Sequence, residues 1–362
     1  LENKGKIKLM IAVPSLECGG LERNIAWLAN HIDTNKFELV ILVVNNANPF
    51  FEIKNKDIQV VNLKAAGAKK AMPLIIRMAN EFRPDVLMSA ANHLNLLCAM
   101  NKHKFPKAMK LIARESSIVS LNVKNGKLPL LYNFLLKRFY KKLDLIICQS
   151  AYMKTDLHEN YHVPSDKLQV INNPVNIPER LVSPQKNTAP VFLSVGRLRP
   201  EKSVHKILYA VSKLSFGFKL YIVGNGPEEK RLKHLAKQLG IEEKIKWMGD
   251  QVHPFDIPEL VDLFLISSDY EGFPNAVLEA CSLGIPVVGY DAPGGLREII
   301  CEGENGFLIK PADRNAFAEV ITKALQYPFD REKIKEDIVN RFSAPAIIKK
   351  WESVFENSIK VS

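Results

Sequence analysis

A repeated alternation constrains this chain more than any other feature: short Val-, Ile- and Leu-rich runs, each followed by a longer amphipathic stretch. The first run is Ile7-Lys-Leu-Met-Ile-Ala-Val13, ended by Pro14 and then a glycine pair. Others fall at residues 37–44, 58–63, 85–90, 110–114, 143–148 and 168–171. Between them lie helix-length segments such as 20–32, 70–82 and 129–142. Apolar runs that do not alternate with polar residues suit strands buried on both faces of a parallel sheet. Strand–helix alternation then predicts a doubly wound α/β fold.

Around Asn172-Asn-Pro-Val-Asn-Ile-Pro178 the pattern breaks, and Pro184, Gln185, Lys186, Asn187 and Thr188 prolong a polar, linker-like stretch. Strand-like runs restart at 191–195, 219–223, 244–248, 263–267, 285–290 and 306–309. A length of 362 residues exceeds one ordinary domain. The expected organisation is two Rossmann-like domains, 1–175 and 176–344, joined near 175–189. A helical tail follows from about Asp330, and its last helix, about 345–362, is expected to pack back on the first domain. No stretch approaches the roughly 20 apolar residues that span a bilayer, and the opening Leu1-Glu-Asn-Lys-Gly has no apolar leader core. Five scattered cysteines (Cys18, Cys98, Cys148, Cys281, Cys301) lack C-x-x-C spacing, which favours a reducing cytoplasm. Nor does any His or Cys spacing suggest a metal site.

In such sheets ligands bind beyond the carboxyl ends of the strands, so the chemistry is sought in the loops that follow them. After run 191–195 come Gly196-Arg197-Leu198 and Glu201-Lys202. Glycine lets a backbone approach a ligand closely, and the two cations suit a diphosphate; a surface Arg and Lys is the plainer reading. After run 219–223 comes Gly224-Asn-Gly226-Pro-Glu228, where a helix beginning at the proline would offer N–H donors to phosphate. The most specific segment is Asp269-Tyr-Glu271-Gly272-Phe273-Pro274-Asn275-Ala-Val-Leu-Glu279. It puts one carboxylate in a turn and another in the following helix, each able to accept from sugar or ribose hydroxyls.

With these motifs, and with Gly19-Gly20-Leu-Glu22-Arg23, Asn173-Pro174-Val175 and Asn305-Gly306-Phe307-Leu308, the chain resembles the retaining GT-B glycosyltransferases of family 4 over nearly its whole length. The resemblance implies two Rossmann-like domains whose sheets face a cleft. It implies that Gly196, Arg197 and Lys202 hold a donor diphosphate, with the Gly224 and Gly226 loop beside them, and that Glu279 holds the ribose. Glu271, with the backbone of Gly272, Phe273, Pro274 and Asn275, would hold the donor sugar. The segment Met248-Gly249-Asp250-Gln251-Val252 would meet the base, and Gly19 and Gly20 the donor phosphate or acceptor. Family members often carry a His or Asp after an N-terminal-domain strand; here that loop reads Arg114-Glu115-Ser116-Ser117. In this it is similar to bacterial N-acetylhexosamine transferases acting on polyprenyl-diphosphate-linked glycans, so Glu115 or Ser116 is expected near the reacting carbon. His93, also after a strand, is a weaker candidate. There is no Asp-x-Asp, so no metal or other cofactor is expected, and the catalytic set is Glu271, Arg197, Lys202, Glu115 and Ser116.

Charge points to the acceptor side. Residues 1–175 hold 25 Lys and Arg against 14 Asp and Glu, which is the whole net charge of +11. The segment Leu128–Lys142 joins apolar and aromatic residues to Lys137, Arg138, Lys141 and Lys142, a composition suited to a membrane interface. The plainer reading is a helix packing Leu131, Leu135 and Phe139 on the sheet. Lys102, Lys104, Lys107 and Lys110 form a second basic cluster. The aromatics and modules of a nucleic-acid binder are missing. The expected function is transfer of a hexose or N-acetylhexosamine from a UDP-sugar to a lipid-linked or polysaccharide acceptor, at the inner face of the membrane. A GT-B epimerase or hydrolase, and a non-enzymatic basic anion-binding protein, are the alternatives.

Overall fold

Every one of these apolar runs forms a strand in the computed structural model, which describes residues 5–17, 19–47, 49–126, 128–175, 177–178, 187–310 and 316–360. Cys18 and the linker residues Pro184, Gln185 and Lys186 lie outside the described residues. The chain divides into one unit of Leu1–Pro174 with Ala344–Ser362 and a second of Val175–Ser343.

In the first unit the strands are β1 (Ile7–Val13), β2 (Phe37–Val43), β3 (Gln59–Asn62), β4 (Val86–Ala90), β5 (Lys110–Arg114), β6 (Leu145–Cys148) and β7 (Leu168–Val170). All pair in parallel, in the order β3-β2-β1-β4-β5-β6-β7. Parallel neighbours need crossovers, supplied here chiefly by α1 (Gly20–His31), α2 (Ala68–Phe82), α3 (Asn92–Met100), α4 (Val119–Lys124), α5 (Pro129–Phe139) and α6 (Ala151–Tyr161). All five residues of central β4 are buried, as a strand covered on both faces requires.

The second unit repeats the design with β8 (Val191–Val195), α7 (His205–Ser212), β9 (Lys219–Val223), α8 (Glu229–Gln238), β10 (Ile245–Gly249), β11 (Leu263–Ile266) and α9 (Asn275–Ser282). It continues with β12 (Val287–Tyr290), α10 (Leu296–Ile299), β13 (Gly306–Ile309), α11 (Ala316–Gln326) and α12 (Arg331–Phe342). Its parallel order is β10-β9-β8-β11-β12-β13. The run expected from 285 starts at Val287, because Pro286 has no N–H to give to the ladder. The last helix, α13 (Ala344–Lys360), belongs to the first unit. There Ile347, Trp351 and Phe355 join the core of Leu9, Ile11 and Phe37, and the Phe355 ring meets Phe37 edge-on at 6.0 Å. Each such buried aromatic contributes about 2–3 kcal/mol relative to exposure.

Strand order reverses beside the first strand of each sheet, at β1/β4 and at β8/β11. These are the switch points where the diverging loops leave a crevice for ligands. Helix α5 departs from the sheet-packing expectation. Leu136 is its one buried residue, Leu131 is exposed, and Leu135 and Phe139 are half-buried.

Candidate active site

The β8/β11 switch point gathers the two motifs that sequence placed 69 residues apart. Lys202, in the short 3-10 turn after β8, donates from Nζ to Glu271 Oε1 at 2.6 Å. The Ser268 hydroxyl donates to the same oxygen at 2.6 Å. The Lys202 side chain is 30% exposed and that of Glu271 10%, so the pair is largely out of bulk water. Charge-assisted bonds of this kind hold both groups in one geometry.

Further hydrogen bonds between residues far apart in sequence clamp the two loops together. Ser267 Oγ donates to the carbonyls of Lys202 and Ser203, each at 3.0 Å. Asp269 N–H donates to the Glu201 carbonyl at 2.8 Å. The Asp269 carboxylate accepts from Ser203 Oγ at 2.9 Å and from Lys206 Nζ at 2.6 Å. Asp269 was visible as part of the glutamate motif; its partners become visible only when β8 and β11 are known to be neighbours.

Gly294 and Gly295 complete the setting and were also missed. Glu271 N–H donates to the Pro293 carbonyl at 2.9 Å, and Gly295 N–H to the Gly272 carbonyl at 3.0 Å. A Cβ on Gly294 would lie 1.4 Å from the Glu271 carbonyl oxygen, and its φ of +126° is one that side chains rarely adopt. Phe273 is buried beside Gly295 and meets Phe342 edge-on. Asn275 opens α9, with Pro274 as its cap residue. Glu279, in the second turn of α9, is only 4% exposed, so it is not a helix-surface charge. An ionised carboxylate is kept in such a place only by specific partners.

The neighbouring loop differs from expectation. Gly224 and Gly226 are required by packing: a Cβ on either would lie 2.2 Å from the carbonyl oxygen of Gly196 or of Leu198. Their loop is stitched to the Gly196–Leu198 turn by Leu198 N–H to the Asn225 carbonyl at 2.8 Å. Around the Cβ position of Gly196 there is open space, and Arg197 beside it is exposed. Helix α8 begins at Glu229 rather than at Pro227, which sits in the preceding turn. Asp250 accepts from the Asn225 N–H at 3.0 Å and from its side-chain amide at 3.1 Å. Gln251 donates to the Met248 carbonyl at 2.6 Å, while Val252 is exposed.

In the first unit, Gly19 caps α1 and Gly20 is its first residue, at the β1/β4 switch point. Ala91, after β4, holds a φ of +86°, the kind of strain that collects near functional loops. Exposed His93 follows it at the start of α3. Glu115 and Ser116 part company. Ser116 is half-buried, whereas Glu115 has no exposed surface. Glu115 Oε1 accepts from Tyr140 at 2.6 Å and from Asn95 at 2.7 Å, while Oε2 has no hydrogen-bond partner among the described residues. Burial pushes this carboxyl up to about 7, against the lowering effect of those hydrogen bonds. Arg114 is likewise buried and donates to Asn173 Oδ1 at 3.0 Å.

A Glycosyltransferase Family 4 model matches residues 18–178, and a Glycosyl transferases group 1 model matches residues 177–341. The chain is 26% identical over 356 residues to the N-acetylgalactosamine-N,N'-diacetylbacillosaminyl-diphospho-undecaprenol 4-alpha-N-acetylgalactosaminyltransferase of Campylobacter jejuni, covering 93% of this chain and 95% of that protein. The lipopolysaccharide outer core galactosyltransferase WaaB shares the fold with a TM-score of 0.76 at 22% identity, covering 98% and 99% of the two chains. Anabaena HepE, solved with UDP-glucose, does so with a TM-score of 0.74 at 18% identity, covering 97% and 100%. The chain belongs to the glycosyltransferases of GT-B fold, with a family 4 domain followed by a group 1 domain.

Proposed function

We propose that this glycosyltransferase moves a hexose or N-acetylhexosamine from a UDP-sugar to a polyprenyl-diphosphate-linked or polysaccharide precursor, with retention and without a metal ion. The observation that carries the reading is the Lys202–Glu271 contact at the β8/β11 switch point, with Glu279 buried on the helix that follows. Lys202 and Arg197 are the cations for the diphosphate, Glu271 and the Gly272–Asn275 backbone the acceptors and donors for the sugar, and Glu279 the acceptor for ribose hydroxyls. Asp250, Gln251 and Val252 meet the base. HepE, of the same fold, is solved with UDP-glucose, and the Campylobacter relative is named for transfer to a diphospho-undecaprenol acceptor. Both support the choice of donor and acceptor class.

In the proposed step the bond from the sugar's anomeric carbon to the diphosphate breaks while the acceptor oxygen bonds to the same face. The acceptor's proton passes to the departing diphosphate oxygen. Charge then develops on the diphosphate, where cations already held in place stabilise it without reorganisation. The enzyme would work at the inner face of the membrane as a peripheral protein. No helix among the described residues is long and apolar enough to cross a bilayer.

A thermal-shift panel of UDP- and GDP-sugars tests the donor, since a ligand at about 100 times its Kd stabilises the native state by about 2.7 kcal/mol. A rise in Tm with UDP-sugars and not with GDP-sugars is expected. A rise with GDP-sugars alone, or with neither, overturns the assignment.

A further inference from the structure

Helix α5 leaves its apolar face uncovered. Leu128 is 66% exposed, Leu130 86%, Leu131 54% and Phe134 65%. Of the eleven large hydrophobic side chains exposed among the described residues, four therefore fall within seven consecutive positions. Singly exposed apolar residues are ordinary, but a contiguous group marks a surface meant to be covered.

The same stretch is free of negative charge. Between Glu115 and Asp144 the chain has no carboxylate and six cations, at 124, 127, 137, 138, 141 and 142. At 3.6 residues per turn, Leu130, Phe134, Lys137 and Arg138 fall within about 100° of arc. One face of α5 is thus apolar at its N-terminal end and cationic at its C-terminal end. Lys124 and Lys137 line one groove with Leu130 and Asn133, between α4 and α5. Asp144 pairs with Lys102 at 2.7 Å, and Asp156 accepts from the Ser120 N–H at 3.1 Å, so these two carboxylates are engaged elsewhere. That pairing also removes Lys102 from the second basic cluster.

We propose that this face of α5 is a membrane-docking surface that takes an anionic lipid bilayer. Leu128, Leu130, Leu131 and Phe134 enter the boundary between headgroups and acyl chains, while Lys124, Lys137, Arg138 and Lys141 meet the lipid phosphates. An apolar end joined to a carboxylate-free cationic end is complementary to a bilayer carrying negative headgroups. A partner with an apolar surface alone would leave the cations without a counterpart. The proposal rests on the lipid-linked acceptor reading above, and identifies the surface that would bring the enzyme to that acceptor.

The test is flotation of the full chain with phosphatidylcholine vesicles, with and without phosphatidylglycerol. The wild type is expected to float with the phosphatidylglycerol vesicles. The Leu130→Asp/Phe134→Asp double variant should lose at least tenfold in binding while keeping its Tm and its transfer to a soluble acceptor analogue. Equal flotation of variant and wild type overturns the surface, as does failure of the wild type to bind while it still transfers sugar. A wild type that is dimeric in gel filtration, and becomes monomeric in the variant, overturns it in favour of a second copy of the chain. Loss of transfer to every acceptor by a wild type that still floats would instead count against the function proposed above.

Discussion

Lys202 and Glu271 share a 2.6 Å hydrogen bond across the β8/β11 switch point, although one belongs to a motif read as diphosphate-binding and the other to a motif read as sugar-binding. The contact joins the two motifs into one unit. In the function proposed above, the cation for the diphosphate is thereby oriented by the carboxylate for the sugar.

Groups that act as a unit are expected to be non-additive. Lys202→Ala should lower kcat/KM by about 100-fold, or about 2.7 kcal/mol, in the range seen for loss of one transition-state donor. Glu271→Gln should cost about as much, and the double variant little more than either alone. Steady-state transfer assays on the four proteins measure this, and fully additive losses would separate the two residues' roles.

Glu279 invites a different comparison, because it is buried on a helix that carries Val277, Leu278, Ala280 and Cys281 into the core. Glu279→Gln keeps the shape and removes the charge, so α9 should stay in place. The expected result is a protein that still folds, with a Tm no higher than that of the wild type in the absence of ligand, together with loss of the Tm rise on adding UDP. A variant that still responds to UDP as the wild type does would remove Glu279 from the ribose site.

Gly294 tests the loop that holds Glu271. A methyl group there would collide with the Glu271 carbonyl oxygen at 1.4 Å, and the backbone would have to leave a φ of +126°. Gly294→Ala should therefore cost about 2–4 kcal/mol of stability, as expected of a backbone-incompatible substitution. Chemical denaturation measures the loss, and residual activity should fall with it because Glu271 moves.

Much of this was readable in the residues. Strands β1, β5, β8, β9 and β13 have the bounds that their apolar runs suggest, since a Val- and Ile-rich run between turn residues has few alternatives. Glu271 and Glu279 were readable because a Gly-Phe-Pro turn opens a helix between them, a local event. The clamp of Ser203 and Lys206 on Asp269 was not, because it depends on which strands are neighbours, a choice made by packing across 60 residues or more. Gly224 and Gly226, expected beside a ligand, are in addition required by the close approach of a neighbouring loop. Local sequence cannot tell one close approach from another. Glu115 is expected near the reacting carbon from the family resemblance of its loop alone; its complete burial is a quantity that local sequence does not carry.

That burial makes Glu115 a pH-dependent element of the first unit. With no exposed surface, its carboxyl is pushed from 4.5 up to about 7, first by burial and against the hydrogen bonds from Tyr140 and Asn95. Between those two values the folded chain keeps a proton that the unfolded chain has lost. Stability contributed by this group is thus fully present below about pH 4.5, is lost as pH rises through 7, and does not recover above it. The span corresponds to about 3 kcal/mol at most. Glu115→Gln mimics the protonated form at every pH, so the variant should match the wild type near pH 5 and exceed it in stability near pH 8. Urea unfolding at both pH values measures the difference. A wild type and variant that differ equally at pH 5 and pH 8 would mean that Glu115 does not titrate between them.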